Sequence, residues 1–349
     1  MFDQLRQKQD ELADRTISAL IQNPEWIRTI NSWKIIPTDL PKSFSIDLKE
    51  FFEFYQNRFS SFDTLTLKKG QDFFDQKGDL YVALLGFYSL PYCYAFADGA
   101  EVLVRSKRIL DSIGERLGET GSFVMEIFRP GAFISDQRAF LVCAKVRLIH
   151  AFSRYFILKH SQDWNSNFGN PVNQEDMLGT NLAFSQIVLR GLIKLGIGVS
   201  EKEHSVVLAY WKWIGELLGI DVEYWPETSK EAFELDKLLR KRHLKSSEAG
   251  RKLVLVLMNF YKSNISDPLV IPLVEDMLCF FLGKTASKVL GLSQNRKLEG
   301  ELFGLMFKFS GWKNGGQKGF NRLIQTIEKQ QKEQFGKVLK INLPEINRP

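Results

Sequence analysis

Apolar residues recur at helical spacing along most of the chain, and strand-like alternation of apolar and polar residues is nearly absent. Apolar periods near 3.6 residues predict amphipathic helices. We therefore expect an all-α fold, a helical bundle in which the helices bury their apolar faces against one another. The predicted helices cover residues 2–32, 49–59 after a cap at Asp47, 100–118 after Asp98 or Gly99, 135–159, 175–196, 201–218, 276–291 and 298–309.

Residues 80–97, LYVALLGFYSLPYCYAFA, carry no charge. Their length is at the lower limit for a membrane-spanning helix. The segment contains Pro91, however, and it is flanked by Asp79 and Asp98 rather than by basic residues. Proline interrupts a helix, and membrane spans carry basic flanks on one side. The pattern favours a buried pair of helices broken near Pro91.

The chain has 349 residues, of which 44% are hydrophobic, including 28 phenylalanines and 7 tryptophans. This composition can bury a large core. Because no linker-like tract divides the chain, we expect one main helical domain over residues 71–330. Residues 1–70 form a predicted helical extension packed on that domain, and residues 331–349 form a basic C-terminal tail.

The three cysteines lie far apart in apolar surroundings, a pattern typical of reduced, buried thiols. The first residues, MFDQLRQKQDELADRT, lack the apolar stretch and cleavage site of a secretory signal. Both features predict a cytoplasmic protein.

The net charge is +6, with a basic cluster over residues 237–252. Such a cluster binds nucleic acid or an anionic membrane, or it is a solvated helix face. The cluster has no interleaved aromatic residues, so no nucleic-acid partner is expected and the solvated face is favoured. Peripheral membrane contact and the oligomeric state stay open.

Common catalytic motifs are absent from the sequence. Gly283-Lys284-Thr285 resembles the end of a phosphate-binding loop, but Leu278 stands where that loop requires its first glycine. No G-x-S-x-G turn, H-E-x-x-H motif or paired-cysteine zinc spacing occurs.

The stretch KVRLIHAFSR, residues 145–154, places one of only four histidines between two arginines. On a helix, Arg147, His150 and Arg154 share one polar stripe. The two guanidinium groups disfavour the cationic form of His150, so its imidazole should be neutral and able to bind a metal. Two buried arginines would also require anionic partners.

Two interpretations of this stretch remain. Haem b offers an iron that accepts a histidine nitrogen and two propionates that accept arginine side chains. Alternatively, the arginines reach solvent or acidic residues on neighbouring helices, and His150 is an ordinary surface or core histidine. Residue spacing alone favours the second interpretation.

Four motifs occur in order: RLGET at 116–120, KVRLIHAFSR at 145–154, NPVNQEDMLGT at 170–180 and YWKWIGELLGIDVEYWP at 210–226. Together they resemble the family of haem-dependent oxygenases that includes rubber oxygenase (latex clearing protein) and the mycophenolic acid pathway oxygenase. The resemblance covers about residues 70–245. It implies an all-helical fold with a globin-like core, one b-type haem, and use of dioxygen to cleave a carbon–carbon double bond of an isoprenoid into two carbonyl products.

The resemblance also assigns roles to individual residues. His150 matches the proximal iron ligand, and Arg147 and Arg154 match the cofactor-binding arginines of the R-x-x-H-x-x-x-R motif. Arg116 and Thr120 match the catalytic R-x-x-x-T pair, whose spacing lets both side chains face one site.

Two glutamates are less certain matches, and the NQED stretch has a structural account. Glu119 stands where the rubber-cleaving enzyme has a lysine able to cap the iron, and Glu101 is the nearest candidate for its catalytic base. A glutamate at a helix start, favoured there by the helix dipole, explains Glu101 equally well. Asn173 should cap the next helix, and Glu175 or Asp176 either favours that helix end or fixes the ring of His150.

The leading hypothesis is a b-type haem oxygenase that acts with dioxygen on a small hydrophobic, unsaturated substrate, with residues 80–97 lining an apolar tunnel. Polymeric rubber is not expected as the substrate, because the sequence shows no export signal. A non-catalytic haem or gas-binding protein and a cofactor-free helical interaction protein are the alternatives.

Overall fold

The computed structural model describes residues 2–59, 61–106, 108–265, 268–296, 298 and 319–346. Within these ranges every regular element is a helix, apart from one isolated antiparallel bridge between Phe96 and Leu244. The all-α prediction is confirmed. The globin-like character of the core stays a prediction.

The helices are numbered along the chain. The first four belong to the N-terminal segment: α1 Phe2–Gln7, α2 Glu11–Gln22, α3 Pro24–Ser32 and α4 Ile46–Gln56. The next six lead to the helix of the R-x-x-H-x-x-x-R motif: α5 Thr64–Leu84, α6 Leu90–Tyr94, α7 Ala97–Arg105, α8 Arg108–Asp111, α9 Ile113–Phe128 and α10 Arg138–His160. The others are α11 Gln174–Leu182, α12 Val188–Lys194, α13 Glu201–Leu217, α14 Ser229–His243, α15 Glu248–Asn264, α16 Val274–Leu290 and α17 Gly319–Phe335.

The helix bounds predicted from strongly apolar runs agree best with those of the structure. The run predicted at 135–159 is α10, and the runs at 201–218 and 276–291 are α13 and α16. The run predicted at 100–118 is divided among α7, α8 and the start of α9. The helix expected at 298–309 lies outside the described residues after its first position. The hydroxyl of Ser45, rather than Asp47, caps α4 by accepting the Leu48 backbone N–H.

The charge-free segment is helical, but it is not broken at Pro91, because Ser89, Leu90 and Ala95 all have right-handed helical backbone angles and the first extended residue is Phe96. A π-helical turn, Leu85–Ser89, ends α5, and Pro91 then occupies the first turn of α6. A second π-helical turn, Ala183–Ile187, separates α11 from α12, and the Ser89 hydroxyl donates to the Ala183 carbonyl at 2.7 Å. In the part of the chain that the structure describes, no helix combines the length and apolarity required to cross a bilayer.

Aromatic side chains dominate the core beside these turns. The ring of Phe128 on α9 stacks between Phe74 on α5 and Tyr210 on α13, with centroid distances of 4.4 and 4.6 Å. The indole N–H of buried Trp211 donates to the hydroxyl of Tyr81 at 2.7 Å. Offset ring stacking adds to the stabilisation that burial of these large side chains supplies. The core therefore joins α5, α9 and α13.

The predicted boundaries at residues 70 and 330 both fall inside helices, α5 and α17. Residues 336–346 continue as an extended segment packed on the protein, with Leu339, Ile341 and Leu343 buried. Leu339 accepts a hydrogen bond from the Ser122 hydroxyl of α9 at 2.8 Å. The described part of the predicted basic tail, up to residue 346, is therefore packed on the rest of the protein.

Several basic side chains of the cluster at 237–252 form ion pairs within the protein. Arg242 donates to Glu175 at 2.6 Å, and Lys245 lies 3.1 Å from a carboxylate oxygen of Asp98. His243 is buried between the same two carboxylates, 3.1 Å from Asp98 and 3.0 Å from Glu175. Arg6 of α1 also joins the cluster, 3.3 Å from Glu175. These ion pairs attach the N-terminus to α11 and α14.

Candidate active site

Helix α10 carries His150 close to its middle. The helix begins after Gln137, which has the left-handed backbone conformation at φ 56°, and runs without interruption to His160. Leu148 and Ala151 on either side of His150 are fully packed, whereas His150 itself keeps some accessible surface. His150 is therefore less buried than these two neighbouring residues.

His150 differs from the other three histidines. Burial, followed by the positive charges of Arg154 and Arg116, lowers the pKa of His150 to about 3. Its Nδ1 is buried without a hydrogen-bond partner. The imidazole is neutral at physiological pH, as predicted from the flanking arginines.

The other histidines occupy different environments. His160 is exposed at the end of α10, and His243 is enclosed by carboxylates. His204 on α13 is buried and also has an unpartnered Nδ1, and burial lowers its pKa, but the nearby charges are those of Glu201 and Glu203. His204 is therefore the histidine to compare with His150 in any test of metal ligation.

Arg147 does not face open space. Its Nε and one terminal nitrogen donate to the two carboxylate oxygens of Asp10 at 2.6 and 2.8 Å, and both side chains are about 5% exposed or less. Its guanidinium carbon lies 4.6 Å from the ring centre of Phe54 on α4. The sequence left open whether this arginine meets a cofactor or an acidic residue, and its described partner is the acidic residue.

Arg154 is held in a similar way. Its Nε donates to Asp14 on α2 at 2.7 Å, and a terminal nitrogen donates to the carbonyl of Val172 at 3.3 Å. Val172 has a φ of 50°, which is strained for a β-branched residue. One terminal nitrogen each of Arg147 and Arg154 is buried without a partner. The N–H donors of the two guanidinium groups are thus mostly, but not completely, paired, chiefly with Asp10 and Asp14.

Arg116 and Thr120 lie on one face of α9. The charge of Arg116 contributes to the lowered pKa of His150, so the structure brings this predicted catalytic residue near the predicted ligand. The Thr120 hydroxyl donates to the Arg116 carbonyl at 2.9 Å, and Arg116 forms an ion pair with Glu119 at 3.4 Å. Next to Thr120, a methyl group added at Gly121 would meet no atom within 4 Å.

Glu101 on α7 forms an ion pair with Arg105, one helical turn further along. Arg105 also pairs with Asp163 at 2.8 Å and lies over the ring of Trp164. None of the described contacts of Glu101 joins it to His150 or to Arg116. The described partner of Glu101 is therefore Arg105, and its role as the base stays a prediction.

The NQED stretch has the structural role predicted for its asparagine. The side chain of Asn173 accepts the backbone N–H of Asp176 at 2.9 Å and caps α11. Glu175 and Asp176 contact Arg6, at 3.3 and 3.0 Å, instead of the ring of His150. The alternative in which one of them fixes the imidazole is not what the structure shows.

Comparison with known proteins shows the family to which the chain belongs. The family model described as "ER-bound oxygenase mpaB/B'/Rubber oxygenase, catalytic domain" matches residues 94–312, which is more than half of the chain. The chain belongs to the mpaB/rubber oxygenase family. Family membership makes it an oxygenase and confirms the resemblance inferred from the four motifs. The matched region begins later than the 70–245 predicted and extends further towards the C-terminus.

Individual members show how distant the relationship is. The rubber oxygenase of Streptomyces sp. (strain K30) is 26% identical to this oxygenase over 297 residues, covering 83% of this chain and 72% of that protein. The structure of latex clearing protein LCP in the closed state superposes with a TM-score of 0.73 at 22% identity, covering 97% of this chain and 95% of that one. The second comparison establishes a shared fold.

Sequence reasoning missed the residues of the N-terminal segment that complete this region. Asp10 and Asp14 are one helical turn apart and could have been recognised as the acidic face of a short helix. Gly219 lies in the motif at 210–226, but its close contact with the charged pair was not predicted. Its φ is 80°, and a methyl group there would lie 2.2 Å from an oxygen of Asp10 and 2.5 Å from Nε of Arg147.

Proposed function

We propose that this oxygenase binds one b-type haem through His150 and uses dioxygen to oxidise or cleave a carbon–carbon double bond of a small hydrophobic, isoprenoid-like substrate. One observation carries the proposal. His150 is a neutral, half-buried imidazole with an unpartnered buried nitrogen, and Arg116 of the R-x-x-x-T motif lies near it. A neutral imidazole is the form that ligates iron.

The residues around His150 fit a haem in part. Leu103 and Val104 on α7, Leu117 on α9, and Val146 and Ile149 on α10 are only partly buried although their helices pack together. These apolar side chains are suited to a porphyrin face, and the open space at Gly121 adds room on α9. No group of three or more histidine, cysteine or acidic side chains is placed to hold a metal in the described residues. A single histidine ligand to a haem does not require such a group.

Arg147 and Arg154 fit the haem less directly than the motif suggested. Their main partners are Asp10 and Asp14, which leaves each arginine one buried unpartnered nitrogen for any propionate. This pairing also removes the argument that the two arginines need a cofactor as counter-ion. Haem binding is therefore proposed from His150 and the family, with the arginines in a supporting role.

When bound, haem supplies a redox-active iron for the chemistry of dioxygen. Arg116 is proposed to orient an oxygen atom with its guanidinium N–H groups, and its ion pair with Glu119 holds that guanidinium in place. The Thr120 hydroxyl can exchange its bond to the Arg116 carbonyl for one to a reacting oxygen. Glu101 stays the proposed base, and it contributes only after separating from Arg105.

A hydrophobic substrate is supported by the side chains of the charge-free segment. Phe87, Leu90 and Cys93 are only partly buried, and the ring of Phe87 stacks on Tyr261 at 4.5 Å. Apolar and aromatic linings suit isoprenoid-like ligands. The rubber oxygenase named above indicates a substrate with carbon–carbon double bonds, and we transfer that substrate class, not the polymer, to this oxygenase.

The test is expression with haem supplied, followed by an absorption spectrum of the purified protein before and after reduction and addition of carbon monoxide. We expect a Soret band in the wild type, loss or altered ligation in His150→Ala, and little change in His204→Ala or His160→Ala. Haem-loaded wild type should then convert short prenyl alkenes to carbonyl products. Loss of the band in His204→Ala alone would refute the assignment of the ligand. A Soret band without conversion of any alkene would favour the non-catalytic gas-binding protein.

A further inference from the structure

Two carboxylates from the N-terminal segment meet the two arginines that flank His150. Asp10 is the N-cap of α2, and Asp14 lies in the first turn of that helix. We propose that Asp10 and Asp14 are positioning residues for the oxygenase site, which fix α10 through Arg147 and Arg154 and so hold His150 in register with its cofactor. The inference rests on the proposed function, because it concerns how His150 is held for haem.

The pair between Asp10 and Arg147 is enclosed on several sides. The two-pronged contact fixes the plane of the guanidinium, and Phe54 of α4 covers one of its faces. Gly219, after α13, lets the backbone approach so closely that no side chain fits there. Three parts of the fold, the start of α2, α4 and the turn after α13, thus converge on one arginine, three residues before His150. A buried, two-pronged pair has little freedom to change its geometry.

The second pair fixes the other end of the motif. Arg154 is 2% exposed, whereas Asp14 is 28% exposed, so the arginine depends on one partly solvated carboxylate for its charge balance. The same guanidinium holds the carbonyl of strained Val172, in the segment just before α11. Backbone strain of this kind persists only where surrounding contacts maintain it. Asp14 therefore links α2, α10 and the start of α11.

The two ion pairs explain how Arg147 and Arg154 can be buried beside His150, although burying an unpaired charge costs free energy. Without carboxylate partners, the two buried guanidinium groups beside His150 would both attract any nearby anion. This attraction would pull α10 towards the anion. With Asp10 and Asp14 in place, the arginines are anchored on the α2 side, and the position of His150 no longer depends on the cofactor. This predicts that haem is held less firmly when the carboxylates are removed, even in a folded protein.

The experiment uses the haem-loaded, full-length protein and compares Asp14→Asn with wild type. The rate of haem transfer to excess apomyoglobin and the spectrum of the ferrous carbon monoxide form are both measured. We expect about tenfold faster haem loss and an altered spectrum in Asp14→Asn, as is typical when a residue that orients a metal ligand is lost. Asp14→Glu, which keeps the carboxylate, should recover most of the wild-type rate.

Asp47→Asn is the matched control, because Asp47 pairs at 3.5 Å with Arg15 of the same α2 helix but is exposed. It should leave haem loss and the spectrum unchanged. If Asp14→Asn lowers only the thermal unfolding midpoint, with wild-type haem loss and spectrum, the positioning role is refuted and the pair is structural. A wild type that takes up no haem would instead refute the proposed function and this inference with it.

Discussion

Replacing Gly219 with alanine tests the N-terminal anchoring without substituting either Asp10 or Arg147. Gly219 follows α13 at φ 80°, where its N–H donates to the Glu216 carbonyl and that of Ile220 donates to Gly215. An alanine in this left-handed conformation costs about 1–2 kcal/mol. Its methyl group would also overlap Asp10 and Arg147. Displacing a buried carboxylate leaves a charge without its partner, which costs about 3–5 kcal/mol.

Gly196 provides the matched control, because it ends α12 with the same hydrogen-bond pattern and a φ of 73°, but has no atom within 4 Å of an added methyl group. Gly196→Ala should therefore lower the free energy of unfolding only by the cost of the left-handed backbone conformation, about 1–2 kcal/mol. Unfolding in urea, followed by circular dichroism, gives the free energy of unfolding for both variants. Gly219→Ala should be the less stable by about 3 kcal/mol. Equal losses would show that Asp10 and Arg147 do not depend on this close approach.

Two further outcomes are expected from substitutions elsewhere in the fold. Burial alone would lower the pKa of His243, but Asp98 and Glu175 raise it above its usual value. The stabilisation that His243 contributes is thus complete below about pH 6.5 and is lost as pH rises through the raised pKa, so the difference in unfolding free energy between wild type and His243→Asn should shrink as pH rises above about 6.5. A constant difference would contradict a protonated His243. Phe128→Ala, which removes the middle ring of a stack, should lose about 3–5 kcal/mol in thermal or urea unfolding, whereas Phe156→Ala, on an exposed side chain, should lose less than about 1 kcal/mol.

Local patterns predicted the helices that bury long apolar stretches. Helix α10 could be placed within three residues at its start and one at its end, since a Pro-Gly break precedes it and a polar loop follows. Asn173 could be assigned as a cap for the same reason, because capping acts within four residues. Residues 237–252 were favoured as a solvated helix face, but the bounds of α14 and α15 were not predicted, because their basic residues obscured the apolar stripe.

The candidate site was harder to predict, because its charges are balanced between residues far apart in sequence. Arg147 and Arg154 were recognised as needing anions, but Asp10 and Asp14 lie 137 and 140 positions away. No local rule connects such positions, and many surface carboxylates were equally available. The motif placed both arginines and His150 on one helix, as the structure has them, whereas the partners of the arginines required the tertiary structure.

The extended segment after α17 also bears on how the protein is made. The side chain of Asn31, near the end of α3, exchanges two hydrogen bonds with the backbone of Leu343, at 2.8 and 3.1 Å, across 312 positions. A ribosome must therefore have polymerised nearly all of this sequence before that contact can form. Contacts of such long range close slowly, because a large loop has to be ordered first. The N-terminal helices can therefore gain this contact only after residues up to 343 have been synthesised.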